Sequence, residues 1–354
     1  MDGKRSPLDA AHRALGAHMG AFAGWEMPIS YGGTVGEHTA VRDRVGVFDV
    51  SHLGKLMIRG NDAASVLDRA LSNRMIDLAP GRARYTLILD DDAGIVDDLI
   101  VYALAPGELL AVPNASNTDE VLRRIEALLE GDATLEHLDW STIAVQGPRS
   151  VEVVREVFPD LPDLGYMRVW RNDPVVISRS GYTGERGFEV FTPGADAMKW
   201  WDALLDAARS AGGEPAGLAA RDTLRMEMGY PLHGNDIDRE TTPREAHLDW
   251  AVAASKERFV GKEAYESNPP GKELIGVRMD DRVIPRRGAE VYRGGRKLGT
   301  VTSGTFSPTL KTGIALGYVT PGSLPAGEAV EIEVRGKRGS GRVVRPPFVG
   351  SSPK

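Results

Sequence analysis

The chain has 354 residues, 42% of them apolar and 26% charged, with no cysteine and a formal net charge of −7. That length exceeds one typical core and predicts two or three domains. The missing cysteine excludes disulfides, thiolate nucleophiles and cysteine-ligated metal.

Met1 to Pro7 holds no apolar signal core, and no apolar run is long enough to span a bilayer, so a cytoplasmic protein with no membrane partner is expected. Charge is unevenly spread: residues 251–354 carry 18 Lys/Arg against 10 Asp/Glu, and residues 1–250 carry 25 against 40. The asymmetry predicts a boundary near residue 250 and a basic face suited to an acidic partner. The plain alternative is a solvated face that attracts the acidic remainder. Nucleic acid is not expected, because no basic motif interleaved with aromatics occurs.

In chain order, residues 8–20 and 35–45 read as helices separated by a Gly/Pro-punctuated loop, Phe22-Ala23-Gly24-Trp25-Glu26-Met27-Pro28. A strand over Lys55 to Arg59 leads to a short helix capped by Asn61 or Asp62, with Ala64, Val66, Leu67 and Leu71 on its apolar face. Strands follow at Arg84 to Asp90, Asp97 to Leu104 and Leu109 to Asn114. Asn117-Thr118-Asp119-Glu120 has the form of a capping box opening a helix to about Leu129. Ser141 to Gln146 reads as a strand and Gly147-Pro148 as the start of a helix. Strands at Val175 to Ser178 and Phe188 to Phe191 flank Arg179 to Gly187, and a helix runs from Asp196 to Ala211. Another opens near Gly217 with Arg221 and Arg225 four apart on one face. After residue 250, short strands, the Gly294-Gly295 turn and a hairpin from Ala329 to Val344 predict a small β-barrel or sandwich.

The chemistry is narrowed by what is missing. No phosphate-loop, dinucleotide-binding or nucleophile-elbow motif occurs, and the seven His residues form no zinc spacing, so no metal is expected. Gly181-Tyr182-Thr183-Gly184 resembles a phosphate loop only superficially and reads better as a tight hairpin turn. The unusual stretch is Gly94-Ile95-Val96-Asp97-Asp98-Leu99-Ile100-Val101-Tyr102, two carboxylates inside an apolar strand. Strand alternation puts Asp97 with Leu99 and Val101, and Asp98 with Val96, Ile100 and Tyr102. Two readings stand: one aspartate is kept among apolar groups for a ligand, or both lie at the strand's exposed start. Tyr85, Asn114, Tyr182, Glu189 and Arg221 are further candidates. Each has a bland reading, as core-edge tyrosines, a solvent-facing Glu189 or an Arg221–Asp222 ion pair.

Together these segments resemble the T-protein family of the glycine cleavage system over nearly the whole chain. The matching motifs are Phe22 to Pro28, Gly46 to His52, Gly94 to Val101, Val145 to Pro148, Ser180 to Glu185, Gly217 to Asp222 and Thr302 to Leu310. The resemblance implies an α+β fold of three domains in a clover-leaf arrangement around a folate channel, the last mostly β. The domains would be 1–50 plus 141–250, 51–140 and 251–354. It implies a tetrahydrofolate-dependent aminomethyltransferase that takes the methylene of an aminomethyl-dihydrolipoyl arm on a lipoylated carrier, the H-protein, and releases ammonia. By the same resemblance Asp98 is catalytic, Glu189 meets the aminopterin edge, and Arg221 meets a folate oxygen. Tyr85, Asn114, Tyr166 and Tyr182 line the channel. Two departures from the family stand out: Met167 follows Tyr166 where a second aromatic is common, and the tail Pro346 to Lys354 lacks a basic or aromatic folate contact found in some relatives. Related folate-dependent methyltransferases or demethylases, and a non-enzymatic folate-binding protein, are the competing expectations.

Overall fold

The computed structural model describes residues 3–350. The fold is a mixed α+β body carrying a closed β-barrel at its C-terminal end. After the short strand Lys4–Arg5, which pairs parallel with Trp25–Ser30, comes the helix Asp9–Ala14, ended by Gly16 at φ +74°, a left-handed backbone that glycine adopts without a Cβ penalty. The helix expected over residues 8–20 is therefore cut short, and its last residues together with the loop expected from Phe22 to Pro28 form a hairpin instead. Strand His18–Phe22 pairs antiparallel with Trp25–Ser30 across Ala23-Gly24, both at positive φ. Such a two-residue turn matches the natural strand twist, so the Gly read as a loop signal is a hairpin signal.

A six-stranded sheet gathers distant pieces in the order Val169–Asn172, Val175–Ser178, Gly187–Pro193, Trp140–Gln146, Gly46–Asp49, Glu214–Pro215. Helices Ser150–Val157 and Ala197–Ser210 bury Val153, Val154, Trp201 and Leu204 against Val47, Ile143 and Val190 on one face. Helices Thr34–Asp43 and Leu218–Met228 cover the other through Val41, Ala220 and Leu224 against Phe48 and Ala144. The second sheet is antiparallel, in the order Arg82–Leu89, Ile95–Ala105, Glu108–Val112, Leu56–Arg59, Thr134–His137. Helices Ala63–Ala70 and Thr118–Glu126 close one of its faces through Val66, Leu67, Val121 and Ile125. Its other face packs Met57, Tyr102 and Leu110 on Val169, Val176 and Phe191 of the first sheet.

The barrel closes in the order Glu273–Met279, Thr312–Val319, Arg296–Ser307, Glu290–Arg293, Ala329–Val334, Lys337–Val344, so no strand edge is left unpaired. It docks on the helix Leu218–Met228, where Met226 meets Leu274, Ile314, Leu316 and Tyr318. Polar groups lock the same joint. Glu227 accepts from Ser307, Thr309 and Arg42, and Asp236 accepts from Thr302, Ser303 and Arg225. The Thr302 to Leu310 motif is therefore a clasp between barrel and body.

Several local expectations are corrected. Asp62 makes no side-chain cap; its Oδ2 accepts from Asp132 N (3.2 Å). The helix expected to reach Leu129 ends at Glu126; Asn117 stands at its N-cap position as expected but makes no side-chain cap hydrogen bond. The segment 179–186 is a wide loop between two strands rather than a tight turn. A Cβ on Gly181 would lie 2.0 Å from Gln146 Oε1, so this glycine serves close approach. Arg225 is fully buried at the barrel joint, and Asp222 pairs with it at 2.9 Å rather than with Arg221. Among the described residues no helix is long and apolar enough to cross a membrane.

Candidate functional site

The aspartate pair lies in the strand Ile95–Ala105, at the centre of the second sheet's packing. A β-bulge shifts the register between Ile88↔Asp97 and Leu89↔Ile95. The extra residue turns Val96 to the helix-covered core, with Leu99 and Val101, and away from the Asp98 face where alternation alone had put it. Asp97 is fully buried and Asp98 half-buried, so neither stands at an exposed strand start.

Asp98 faces a cavity of about 1260 Å³ between the two sheets, the loop 229–237 and the barrel. All seven residues singled out from the sequence line it: Tyr85, Asp98, Asn114, Tyr166, Tyr182, Glu189 and Arg221. At one wall Asp98 Oδ2 accepts from Tyr85 Oη (3.0 Å) and Oδ1 from Asn114 Nδ2 (2.9 Å). Burial raises the Asp98 carboxyl above its ordinary range. Tyr85 in turn stacks on Trp250, with ring centroids 5.0 Å apart, and Trp250 is 65% exposed at the rim.

At the opposite wall Glu189 is 6% exposed, so the solvent-facing reading fails. Its Oε2 accepts from Ser180 Oγ (2.6 Å) and Tyr102 Oη (3.1 Å). Arg221, from the first turn of Leu218–Met228, lies 4.9 Å over the Tyr182 ring. Its Nη1 is buried without a hydrogen-bond partner, a donor set toward an acceptor that the protein does not supply. Burial lowers the guanidinium from its ordinary value, and the charge of Glu189 opposes that. Tyr182 is fixed by its hydroxyl, which donates to Pro231 O, and by stacking on Tyr230. His52 also lines the cavity. Burial, then the Arg221 charge, push its imidazole down to about 3, so it stays neutral.

Met167 lines the cavity, and Tyr166 is at the rim. Arg345 and Pro346 line the barrel side, so a basic residue does reach the cavity from the C-terminal end. Ser351 to Lys354 of the expected tail lie outside the described residues. Sequence reasoning missed Tyr102, Ser180, Asn117, His233 and Trp250. Ser180 was within a quoted motif, whereas His233 carries no local signal because its partners are far away in sequence. Among the described residues no cluster of three His, Asp or Glu is placed to hold a metal ion.

The arrangement pairs a carboxylate wall with a guanidinium–carboxylate wall across an aromatic-lined space. Such a cavity suits a flat, nitrogen-rich heterocycle with both donors and acceptors on its edge. Residues 8–256 match the family model described as the GCVT N-terminal domain, and residues 272–350 match the glycine cleavage T-protein C-terminal barrel domain. An aminomethyltransferase of Parafrankia sp. (strain EAN1pec) is 47% identical, with 99% of each chain covered. Another from Mycobacterium avium (strain 104) is 45% identical over 97% of this chain and 96% of that one. The crystal structure of glycine cleavage system aminomethyltransferase T from Bartonella henselae superposes with a TM-score of 0.94 at 36% identity, covering 99% of both chains.

Proposed function

The chain belongs to the glycine cleavage T-protein family and is an aminomethyltransferase of the glycine cleavage system; from that premise we propose that its acceptor is tetrahydrofolate, its donor an aminomethyl-dihydrolipoyl arm on a lipoylated carrier, and Asp98 its catalytic carboxylate. The observation that carries the reading is the convergence of Asp98, Glu189 and the unpaired Arg221 Nη1 on one cavity.

The residues present fit a folate. Glu189, held by two hydroxyls, is an acceptor for the amino and ring N–H groups of a pterin edge, and Arg221 is a donor for a ring or chain oxygen. Tetrahydrofolate, when bound, supplies two secondary amines that take up the methylene. Two N–H protons are released in that transfer, and one is needed by the departing ammonia and one by the arm's sulfur, so the sum is balanced. Asp98 is suited to carry a proton between these atoms and to stabilise positive charge as it develops, because its oxygens keep a reversible hydroxyl partner in Tyr85. Tyr85, Asn114, Tyr166 and Tyr182 orient the ring system and exclude water. No metal enters the proposal.

A three-domain clover-leaf division into 1–50 with 141–250, 51–140 and 251–354 belongs to the same proposal. It is supported by the first sheet, which draws strands from both sides of the second. So does a cytoplasmic setting. Methyl transfer and passive folate binding are not favoured, since the relatives above carry the name aminomethyltransferase.

The deciding experiment supplies aminomethyl-loaded lipoyl carrier and tetrahydrofolate and measures methylenetetrahydrofolate and ammonia. Both products should appear in equal amounts. Methyltetrahydrofolate formation, or folate binding with no ammonia released, would overturn the assignment.

A further inference from the structure

We propose that Asp97 is a positioning residue for the transfer, held as a carboxylate by amide donors so that the proton shared by the aspartate pair resides on the cavity-facing Asp98. The proposal rests on the reading of the cavity as the transfer site.

The hydrogen bonds around the two carboxyl groups differ in kind. Asp97 Oδ1 accepts from Asn114 Nδ2 (2.8 Å) and Asn117 Nδ2 (2.7 Å), and Oδ2 accepts from Asn114 N (3.0 Å). All three partners are N–H groups, which can donate but cannot accept. A proton on Asp97 Oδ1 would displace one of its two donors, and a proton on Oδ2 would have no acceptor among these partners in a fully buried place. Asp98 has no such conflict. Its Oδ1 faces the Asn114 amide, while Oδ2 lies 3.0 Å from the Tyr85 hydroxyl, which donates to a carboxylate and, rotated, accepts from a carboxylic acid.

Asn114 couples the pair although the strand turns the two side chains to opposite faces. Its single Nδ2 is within hydrogen-bond distance of Asp97 Oδ1 and Asp98 Oδ1. Asn117 is oriented in turn by His233. His233 Nδ1 lies 3.0 Å from Asn117 Nδ2 and Nε2 lies 3.1 Å from Ile95 O, an acceptor only, which fixes the neutral tautomer with its proton on Nε2. Asn117 thus stands at the N-cap position of its helix without a side-chain cap, and its amide nitrogen serves Asp97. The titratable groups facing the pair are Tyr85 from the neighbouring strand, Tyr182 from the loop 179–186 and His233 from the loop 229–237. Burial pushes both carboxyl groups up, and for Asp97 the charge of Asp98 adds to it and takes it to about 8, as expected of two buried acids that do not ionise together; it is the all-donor surroundings of Asp97, and not burial, that assign the proton to Asp98.

The test reads the side-chain carboxyl carbons of 13C-labelled apo enzyme through a pH titration, with the pH profile of kcat/KM measured in parallel. In Asp97→Asn the titration of Asp98 should move to lower pH by about one unit or more, because a neighbouring negative charge is gone. The acid limb of the kcat/KM profile should move with it. In Asp98→Asn the remaining Asp97 should titrate below neutral pH. Should Asp97→Asn fail to fold, Asn117→Ala, which removes one donor without touching the cavity wall, should leave Asp98 more ionised at neutral pH. An Asp98 titration unmoved in the folded variants, or an Asp97 still protonated at neutral pH in Asp98→Asn, would overturn the proposal. Because the titration is read without folate or carrier, it stands apart from the product assay that tests the transfer reading.

Discussion

At the scale of single residues, Asp98 and Glu189 share a cavity but have different surroundings, and their substitutions should separate. Asp98→Asn keeps the shape and loses the carboxyl group that takes up and gives back the proton. Turnover should fall on the order of a hundredfold or more, as loss of one preorganised polar contact of about 2.7–4 kcal/mol implies. Folate affinity, read by calorimetry, should change little beside it. Near-wild-type turnover would remove Asp98 from the mechanism. Glu189→Gln places an amide N–H at one of two positions that now only accept, so folate affinity should drop about tenfold while the fold is kept. The sequence brought both residues to notice, one through an odd strand and both through the family resemblance. It gave no reason to prefer the cavity to solvent for Glu189, because strand alternation places a residue on a face without saying what covers that face.

Elements explain how these side chains are held. Gly94 precedes the aspartate strand, and a Cβ there would lie 2.0 Å from Arg239 O. The loop that brings His233 to Asn117 crosses the strand at this point, with Ile95 N bonded to the carbonyls of Asp238 and Thr241. Gly94→Ala should therefore lower the melting temperature and depress kcat, with the His233 ring resonances shifted. Unchanged His233 resonances would mean the loop does not depend on that contact. The helix Leu218–Met228 has two duties that its sequence pattern does not separate. Arg221 is presented to the cavity from its first turn, whereas Arg225 and Glu227 hold the barrel from its last two. Glu227 is buried, and burial alone would raise its carboxyl, but His38, Ser307 and Arg42 outweigh burial and hold it at about 2. A carboxyl depressed in the folded state stabilises the protein above its unfolded value and loses that stability as pH falls through the folded one. Glu227→Gln should thus unfold more readily at pH 7, and its deficit in melting temperature should shrink between pH about 4.5 and about 2. A deficit independent of pH would indicate that the charge is not what matters.

For the whole molecule, the charge split acquires a setting. The segment with excess Lys/Arg folds as the closed barrel and the joint beside it, and Arg345 extends that basic character to the cavity rim. An acidic carrier surface docking there would be steered over roughly a Debye length, about 8 Å at physiological salt. Raising salt should then increase the KM for the carrier while the KM for folate moves much less. A carrier KM that ignores salt would contradict electrostatic docking. The barrel's closure and its polar clasp predict a cooperative joint, since Thr302, Ser303, Ser307 and Thr309 satisfy buried carboxylates of the body.

The sequence by itself determined the soluble-type composition, the absence of thiol chemistry and the positions of most strands and helices, and its resemblance to a family pointed to seven of the residues that line the cavity. The elements are local properties, fixed by period, composition and spacing, whereas the site residues came from the motifs that carry the resemblance. It misread the hairpin at Ala23-Gly24, where turn chemistry was taken for a loop, and it predicted a capping box at Asn117 whose side-chain hydrogen bond does not form. Only the tertiary structure decided that a bulge moves Val96 off the Asp98 face and that Asn114 joins two side chains the strand turns apart. It also decided that His233, more than a hundred residues downstream, orients the amide that holds Asp97. The reason is physical: alternation is a property of one strand, but the charge state of a buried acid is set by which donors other segments bring to it.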